Sequence, residues 1–301
     1  MAEQAVGLVV AGAGARGAYE AGALSVLVPA LAGHGQRPTV FVATSAGALN
    51  VLLFASLSHL DPDEAAEQAL DMWLAVRWSD VVRPLARSTR VIPSAPRPTA
   101  APAGRTSVQP TRPRSAGADY RRLEALGRPA PQRTGGQGRV DLIVATDPLE
   151  GVPVDQGRTA PDVCDAVAQV LHAAMVDRMA EDVRTLDKIN RLVSAKLQRG
   201  VARSRGGRPY RRIPRIYVGP TRPGIIAAIA EEVLSRRRRG QEPALDADLV
   251  LLRDALGGAR SHGELLSYLL SDPVFVERLI GLGRHDVERL LERSDLRSLW
   301  R

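Results

Sequence analysis

The sequence predicts an α/β domain built on a parallel sheet with helices packed against it. Two observations carry this. The N-terminal 60 residues contain two strand–turn–helix units in tandem, and two further β-rich runs, 140–146 and 213–218, each neighbour long stretches of helical periodicity.

The first unit opens with Val6 to Val10, a short apolar run rich in β-formers. It breaks at Ala11-Gly12-Ala13-Gly14-Ala15-Arg16-Gly17, and helical periodicity follows from Ala18 to Leu31. After the turn Gly33 to Pro38, a second buried-strand pattern spans Thr39 to Ala43. Thr44-Ser45 then leads into an apolar helix from Ala46 to about Leu60. Strands joined through a helix run parallel, so the two units imply a parallel sheet. Asp61-Pro62-Asp63 predicts the start of a further helix with Ala65, Ala69, Met72, Trp73 and Val76 on one face.

From Pro84 to Gly138 the character changes. Nine prolines and ten arginines occur, Asp119 and Glu124 are the only acidic residues, and no periodicity persists, so this segment is expected to be irregular or disordered. Val140 to Thr146 reads as a strand. Ala160 to about Arg199 reads as helical, through Val163, Val167, Val170, Leu171, Met175, Met179, Leu186, Ile189 and Leu192. Ile213 to Val218 reads as a last strand, followed by helical runs at Ile225 to Leu234, Gly263 to Leu270 and Val274 to Leu282. The expected organisation is therefore 1–83 as the first part of the α/β domain with the candidate site, 84–138 irregular, 139–220 the rest of that domain, and 221–301 a helical C-terminal region.

At 301 residues and 45% hydrophobic content, the chain can bury one large core or two modest ones. Cys164 is the only cysteine, so an intrachain disulfide is excluded and a cytoplasmic setting is expected. The start Met1-Ala2-Glu3-Gln4 lacks the basic region of a signal peptide. No apolar stretch approaches the roughly 20 residues of a membrane-spanning helix. The net charge of +8 is carried almost wholly by arginine, since Lys188 and Lys196 are the only lysines. Arginines scattered among Ala, Pro and Gly fit a compositional bias, and no specific nucleic-acid partner is expected. Peripheral contact with an anionic membrane stays open. Arg236 to Arg239 reads as the solvated C-terminal end of a helix, where cations are favoured. Glu181, Asp182 and Asp187 with Arg178, Arg184 and Lys188 read as charge pairs on a helix surface.

The chemistry concentrates in the two N-terminal turns. Gly12-Ala13-Gly14-Ala15-Arg16-Gly17 satisfies GxGxxG, a pattern shared by dinucleotide- and phosphate-binding loops. A dinucleotide fold would carry an acidic residue at the end of the second strand, where Ala43-Thr44-Ser45 stands instead. A mononucleotide loop would need Gly-Lys-Ser/Thr, which is also missing. Ser45 followed by Ala46-Gly47 offers the small residues that a sharp nucleophile turn requires. In a parallel sheet both turns lie at the carboxyl ends of strands. Main-chain N–H groups of Gly12, Gly14, Ala15, Arg16 and Gly17 can then face an oxyanion above Ser45, helped by helix N-termini. The competing reading is structural: the glycines permit a tight turn and close packing, and Ser45 caps the next helix. His34, His59, His262 and His285 show no metal-ligand spacing. His172 reads as a boundary residue of a long helix, and Asp155-Gln156-Gly157 as a loop.

Gly12 to Tyr19, the helix Ala18 to Leu24, Ala43-Thr44-Ser45-Ala46-Gly47 in place of GxSxG, and the following Ala48-Leu49-Asn50 resemble the patatin-like phospholipase family. Residues 139–197 and 263–286 resemble later parts of its bacterial members. The resemblance implies a three-layer sandwich, its mostly parallel sheet between helices, with a helical C-terminal extension. It also implies a serine acyl hydrolase working through a Ser-Asp dyad on lipid-type esters, with no metal and no organic cofactor. The family's base lies in an Asp-Gly motif, and this sequence contains no Asp-Gly dipeptide. By the family's order the base falls within 84–138, where Asp119, followed by Tyr120, is the sole aspartate. A catalytically impaired member acting as a lipid-binding or regulatory module is the alternative. The sequence leaves substrate, acyl length and oligomeric state open.

Overall fold

The structure is a computed structural model that describes residues 6–76, 142–146, 179–198, 212–239 and 262–293. All of these belong to one compact unit drawn from 1–82 and 137–301. The expected irregular segment 84–138 with Asp119, the helix residues 160–178 and His172 lie outside the described residues.

The described strands are β1 (Val6–Val10), β2 (Pro38–Ala43), β3 (Leu142–Thr146) and β4 (Arg215–Val218), in the order β2-β1-β3-β4. Every pairing is parallel, with Val10 opposite both Ala43 and Thr146. The helices are α1 (Gly17–Gly33), α2 (Ser45–Ser56), α3 (Pro62–Ala75), α4 (Met179–Gln198), α5 (Ile225–Arg238), α6 (His262–Leu269) and α7 (Pro273–Arg293). A single 3₁₀ turn, Gly14–Arg16, leads into α1. The chain is thus α/β, as its tandem strand–helix units predicted.

The pleat sends alternate side chains of the central strand to opposite faces. Val6, Leu8 and Val10 share a core with Leu24, Leu27 and Leu31 of α1, Val51 and Phe54 of α2, and Ile216 and Val218 of β4. Val9 and Tyr217 turn the other way, toward Ala145, Met179 and Val183. Apart from Glu20 and Ser25, α1 is apolar, and Ala18, Tyr19, Ala21, Ala23, Leu24, Leu27 and Leu31 are fully buried. Each buried leucine contributes roughly 1.5–3 kcal/mol by leaving water.

One neighbour of α1 is α7, and glycines set the closeness of that crossing. A Cβ on Gly22 would lie 2.2 Å from the Ile280 carbonyl oxygen, and one on Gly283 would lie 2.0 Å from that of Tyr19. Only a residue without a side chain fits either place. Nearby, the Tyr19 hydroxyl donates to Asp286 Oδ2 at 3.0 Å, and Thr221 Oγ1 donates to Asp286 Oδ1 at 3.3 Å.

Several expectations are corrected. On α3 the buried residues are Ala65, Ala66, Ala69, Leu70 and Trp73, whereas Met72 is 55% exposed and Val76 has left the helix in an extended conformation. On α4 the inward row is Met179, Val183, Asn190 and Val193, leaving Ile189 and Leu192 exposed. The cause is Asn190. Its amide donates to the Ile213 carbonyl at 2.8 Å and accepts from the Ile213 N–H at 3.0 Å, which turns a polar residue inward and two aliphatics out. Asp187 pairs with Arg215 of β4, not along its own helix surface. Arg237 is buried against Asp272, so this part of the arginine cluster is not a solvated end. Asp272 in turn accepts from the N–H groups of Val274 and Phe275, capping α7 while holding Arg237. Finally, α2 stops at Ser56, short of Leu60, and α7 runs on to Arg293.

Candidate functional site

The turn between β2 and α2 determines where Ser45 stands. Thr44 occupies the cap position in an extended conformation and makes no side-chain capping bond. Ser45, the first residue of α2, has φ +48°, the only positive φ outside glycine among the described residues. An L-residue there costs roughly 1–2 kcal/mol, and such strain persists where the surrounding structure over-determines it. Ser45 therefore does not cap α2. It is exposed, and its hydroxyl has no hydrogen-bond partner among the described residues.

Gly47 is what lets the turn be this sharp. A Cβ at 47 would lie 2.3 Å from the Ala11 carbonyl oxygen and 2.7 Å from that of Val10, so α2 begins in direct contact with the end of β1. Ala43 half-buries its methyl group against the core that holds Phe54 and Leu8, so the position accepts a side chain.

The glycine loop meets the same turn from the other side. A Cβ on Gly12 would lie 2.8 Å from Ser45 Cβ and 2.9 Å from Thr44 Oγ1. The main chain at Gly12 is thus in contact with the serine turn. Gly14 has φ +55°, and a side chain there would meet the Tyr268 carbonyl oxygen at 2.3 Å. Gly17 lies against Trp73 and Ala46, where a Cβ would approach both to 3.0–3.1 Å. Gly14 and Ala15 begin the 3₁₀ turn and Ala46 and Gly47 begin α2, positions whose N–H groups have no intrahelical acceptor. Two helical N-termini therefore converge beside one exposed hydroxyl, a place suited to developing negative charge.

Arg16 contributes differently. Its N–H is bonded to the Ala13 carbonyl at 3.1 Å within the turn. Its guanidinium is 2% exposed and points away into the C-terminal region. There it pairs with the Glu264 carboxylate, donates to Ser267 Oγ at 2.8 Å and to the Glu264 carbonyl at 3.1 Å, and lies 4.1 Å from the Tyr268 ring centroid. Arg16 thus fastens the loop to α6. Residues 264–268 shape it both through this clamp and through the Tyr268 carbonyl beneath Gly14.

A second network underlies the serine helix. Fully buried Asn50 donates through Nδ2 to the Gly17 carbonyl at 2.9 Å and to Glu20 Oε2 at 3.2 Å, and its Oδ1 accepts from Trp73 Nε1 at 2.6 Å. This ties α2 to α1 and α3 just below both turns. The sequence carried a signal for it: Asn50 is a lone amide in an otherwise apolar helix, and a buried amide must find partners. The roles of Glu264, Ser267 and Asp286 had no such local signal.

Among the described residues no cluster of His, Cys, Asp or Glu could hold a metal ion. Of the residues expected to form the site, Ser45, Gly12, Gly14, Ala15, Arg16 and Gly17 are brought together in the main chain. Asp119 lies outside the described residues.

The fold and these turns define an α/β protein with an exposed, conformationally strained serine between strand and helix, facing a glycine-rich loop. The family model for patatin-like phospholipases matches residues 8–168, more than half of the chain, and the chain belongs to that family. No curated protein and no solved structure matches it significantly. Membership carries lipid acyl hydrolysis as the family-level activity. No described helix is long and apolar enough to cross a membrane.

Proposed function

We propose that this chain is a serine acyl hydrolase, a patatin-like phospholipase or esterase, that cleaves lipid-type carboxylic esters through Ser45. The observation that carries the reading is the pairing of an exposed serine at φ +48° with Gly12 main chain in contact beside it. Ser45 Oγ attacks the ester carbonyl as its proton passes to an aspartate. The loop N–H groups of Gly12, Gly14 and Ala15 and those at the head of α2 hold the oxyanion, those of Arg16 and Gly17 being taken within the turn. The base returns the proton to the departing alcohol, and water hydrolyses the acyl-enzyme. Asp119 is the base in this proposal, as the sole aspartate of 84–138. The mechanism requires neither metal nor organic cofactor. Helices against both faces of the sheet support a three-layer sandwich. The lone cysteine supports work in the cytoplasm.

A fluorophosphonate probe tests the reading. Wild-type protein is expected to be modified at Ser45, Ser45→Ala to stay unmodified, and Asp119→Asn to react far more slowly. Folded wild-type protein that resists the probe defeats the proposal. The absence of an Asp-Gly dipeptide favours one second reading, a catalytically impaired lipid-binding or regulatory module. Lipid binding without any labelling identifies that case.

A further inference from the structure

Away from the serine turn, α4 and the chain entering β4 enclose an open groove of roughly 790 Å³, lined by Asp187, Asn190, Arg191, Ser194, Ala195, Arg212 and Arg215. Its charge is unbalanced. Three guanidiniums face a single carboxylate, and that carboxylate is already engaged: Arg215 Nε donates to Asp187 Oδ1 at 2.9 Å, and Nη2 donates to Oδ2. Arg191 reaches only the Asp187 main-chain carbonyl, at 3.4 Å. Arg212 is exposed and has no ion pair among the described residues. Asp187 is the one carboxylate of the lining and its charge is shared among Arg215, Arg191 and Arg212, so the groove keeps an excess of positive charge.

The walls are fixed before any ligand arrives. Asn190, 6% exposed, bonds both main-chain groups of Ile213, one residue from Arg212, and Ser194 Oγ donates to the Asn190 carbonyl at 2.9 Å. Beside the groove α4 presents Leu192 at 61% exposure, one turn from Ala195 of the lining and from exposed Lys188. An outward aliphatic beside these cations suits the boundary between lipid headgroups and acyl chains, where the apolar group gains burial and the cations meet phosphate. A nucleic-acid surface would use the arginines but leave Leu192 in water.

We propose that this groove binds the phosphate of an anionic lipid headgroup and seats α4 on a membrane surface, independently of the chemistry at Ser45. The test is co-sedimentation of the full chain with vesicles of neutral phosphatidylcholine, alone or containing a third phosphatidic acid. Wild type is expected to bind the anionic vesicles, weaken steeply with added salt, and leave the neutral ones in solution. Arg191→Gln/Arg212→Gln, at two exposed positions that hold no core contact, is expected to lose roughly 25-fold in affinity at about fivefold per charge. Leu192→Ser is expected to weaken vesicle binding while leaving inorganic phosphate binding unchanged.

Equal vesicle binding by wild type and the arginine variant overturns the proposal. Saturation by inorganic phosphate with no vesicle attachment points to a soluble phosphoester and overturns the lipid assignment, as does tighter binding of single-stranded RNA than of vesicles. Ser45→Ala is expected to bind vesicles like wild type, and the arginine variant to react normally with the fluorophosphonate probe. Failure here is therefore distinguishable from failure of the acyl-hydrolase reading.

Discussion

Replacing Ser45 by glycine is expected to remove activity and raise stability together. At φ +48° the Cβ of an L-residue crowds its own carbonyl, at a cost of roughly 1–2 kcal/mol. Glycine escapes that strain but loses more backbone entropy on folding, roughly 0.5–1 kcal/mol. The packing term is small, because Ser45 is exposed and its hydroxyl holds no hydrogen bond among the described residues, its Cβ lying beside the Gly12 main chain. The difference leaves Ser45→Gly more stable by about 0.5–1 kcal/mol, which for a chain of this size raises Tm by about 1–3 °C. Ser45→Ala separates the two effects: it removes the same hydroxyl but keeps the Cβ, so it relieves nothing. Differential scanning calorimetry of wild type and both variants, beside probe labelling, reads the outcome. If Ser45→Gly melts at or below Ser45→Ala, the strain argument fails, and with it the claim that the turn is held in tension to present the hydroxyl.

Other perturbations follow from the same contacts. Gly47→Ala places a methyl 2.3 Å from the Ala11 carbonyl oxygen, a main-chain atom that cannot yield without moving the end of β1. Urea unfolding is expected to show a loss of about 1–3 kcal/mol or more. Gly12→Ala puts its methyl 2.8 Å from Ser45 Cβ, but Ser45 and Thr44 are exposed and can yield, so labelling at Ser45 is expected to fall about 100-fold with the fold retained. Tyr19→Phe removes a donor from buried Asp286, leaving Thr221, and is expected to cost about 1–3 kcal/mol by chemical denaturation. The hydrogen bond from Arg215 holds the Asp187 carboxyl below the ordinary aspartate range, against a smaller opposing effect of burial. A lowered folded value means the unfolded chain takes up the proton first. The contribution is therefore fully present above about pH 4 and is lost as pH falls through the folded value. Melting from pH 7 to pH 3 is expected to fall less steeply for Asp187→Asn than for wild type.

The α/β class and the serine turn were legible in the sequence because both are set by short-range rules. Val6 to Val10 and Thr39 to Ala43 are apolar runs cut by glycine-bearing turns, and strand pairing through an intervening helix leaves little choice of direction. Gly47 beside Ser45 likewise announces close approach of chain to chain. Where the reading of faces failed, on Met72, Ile189 and Leu192, periodicity gave apolar residues the inward side by default. In α4 a hydrogen-bonding requirement overrode it, since burying Asn190 satisfies both main-chain groups of Ile213.

By itself, then, the sequence determined a parallel sheet, a serine at a strand-to-helix turn and a glycine loop preceding it, all properties of neighbouring residues. Only the tertiary structure decided what those glycines face and what holds them. Gly12 meets Ser45, Gly14 meets Tyr268, and Arg16 pairs with Glu264 some 248 residues away. Contacts at such separations leave no periodic trace along the chain, because they are fixed by how the helices α1, α6 and α7 pack and not by the local pattern of any one of them.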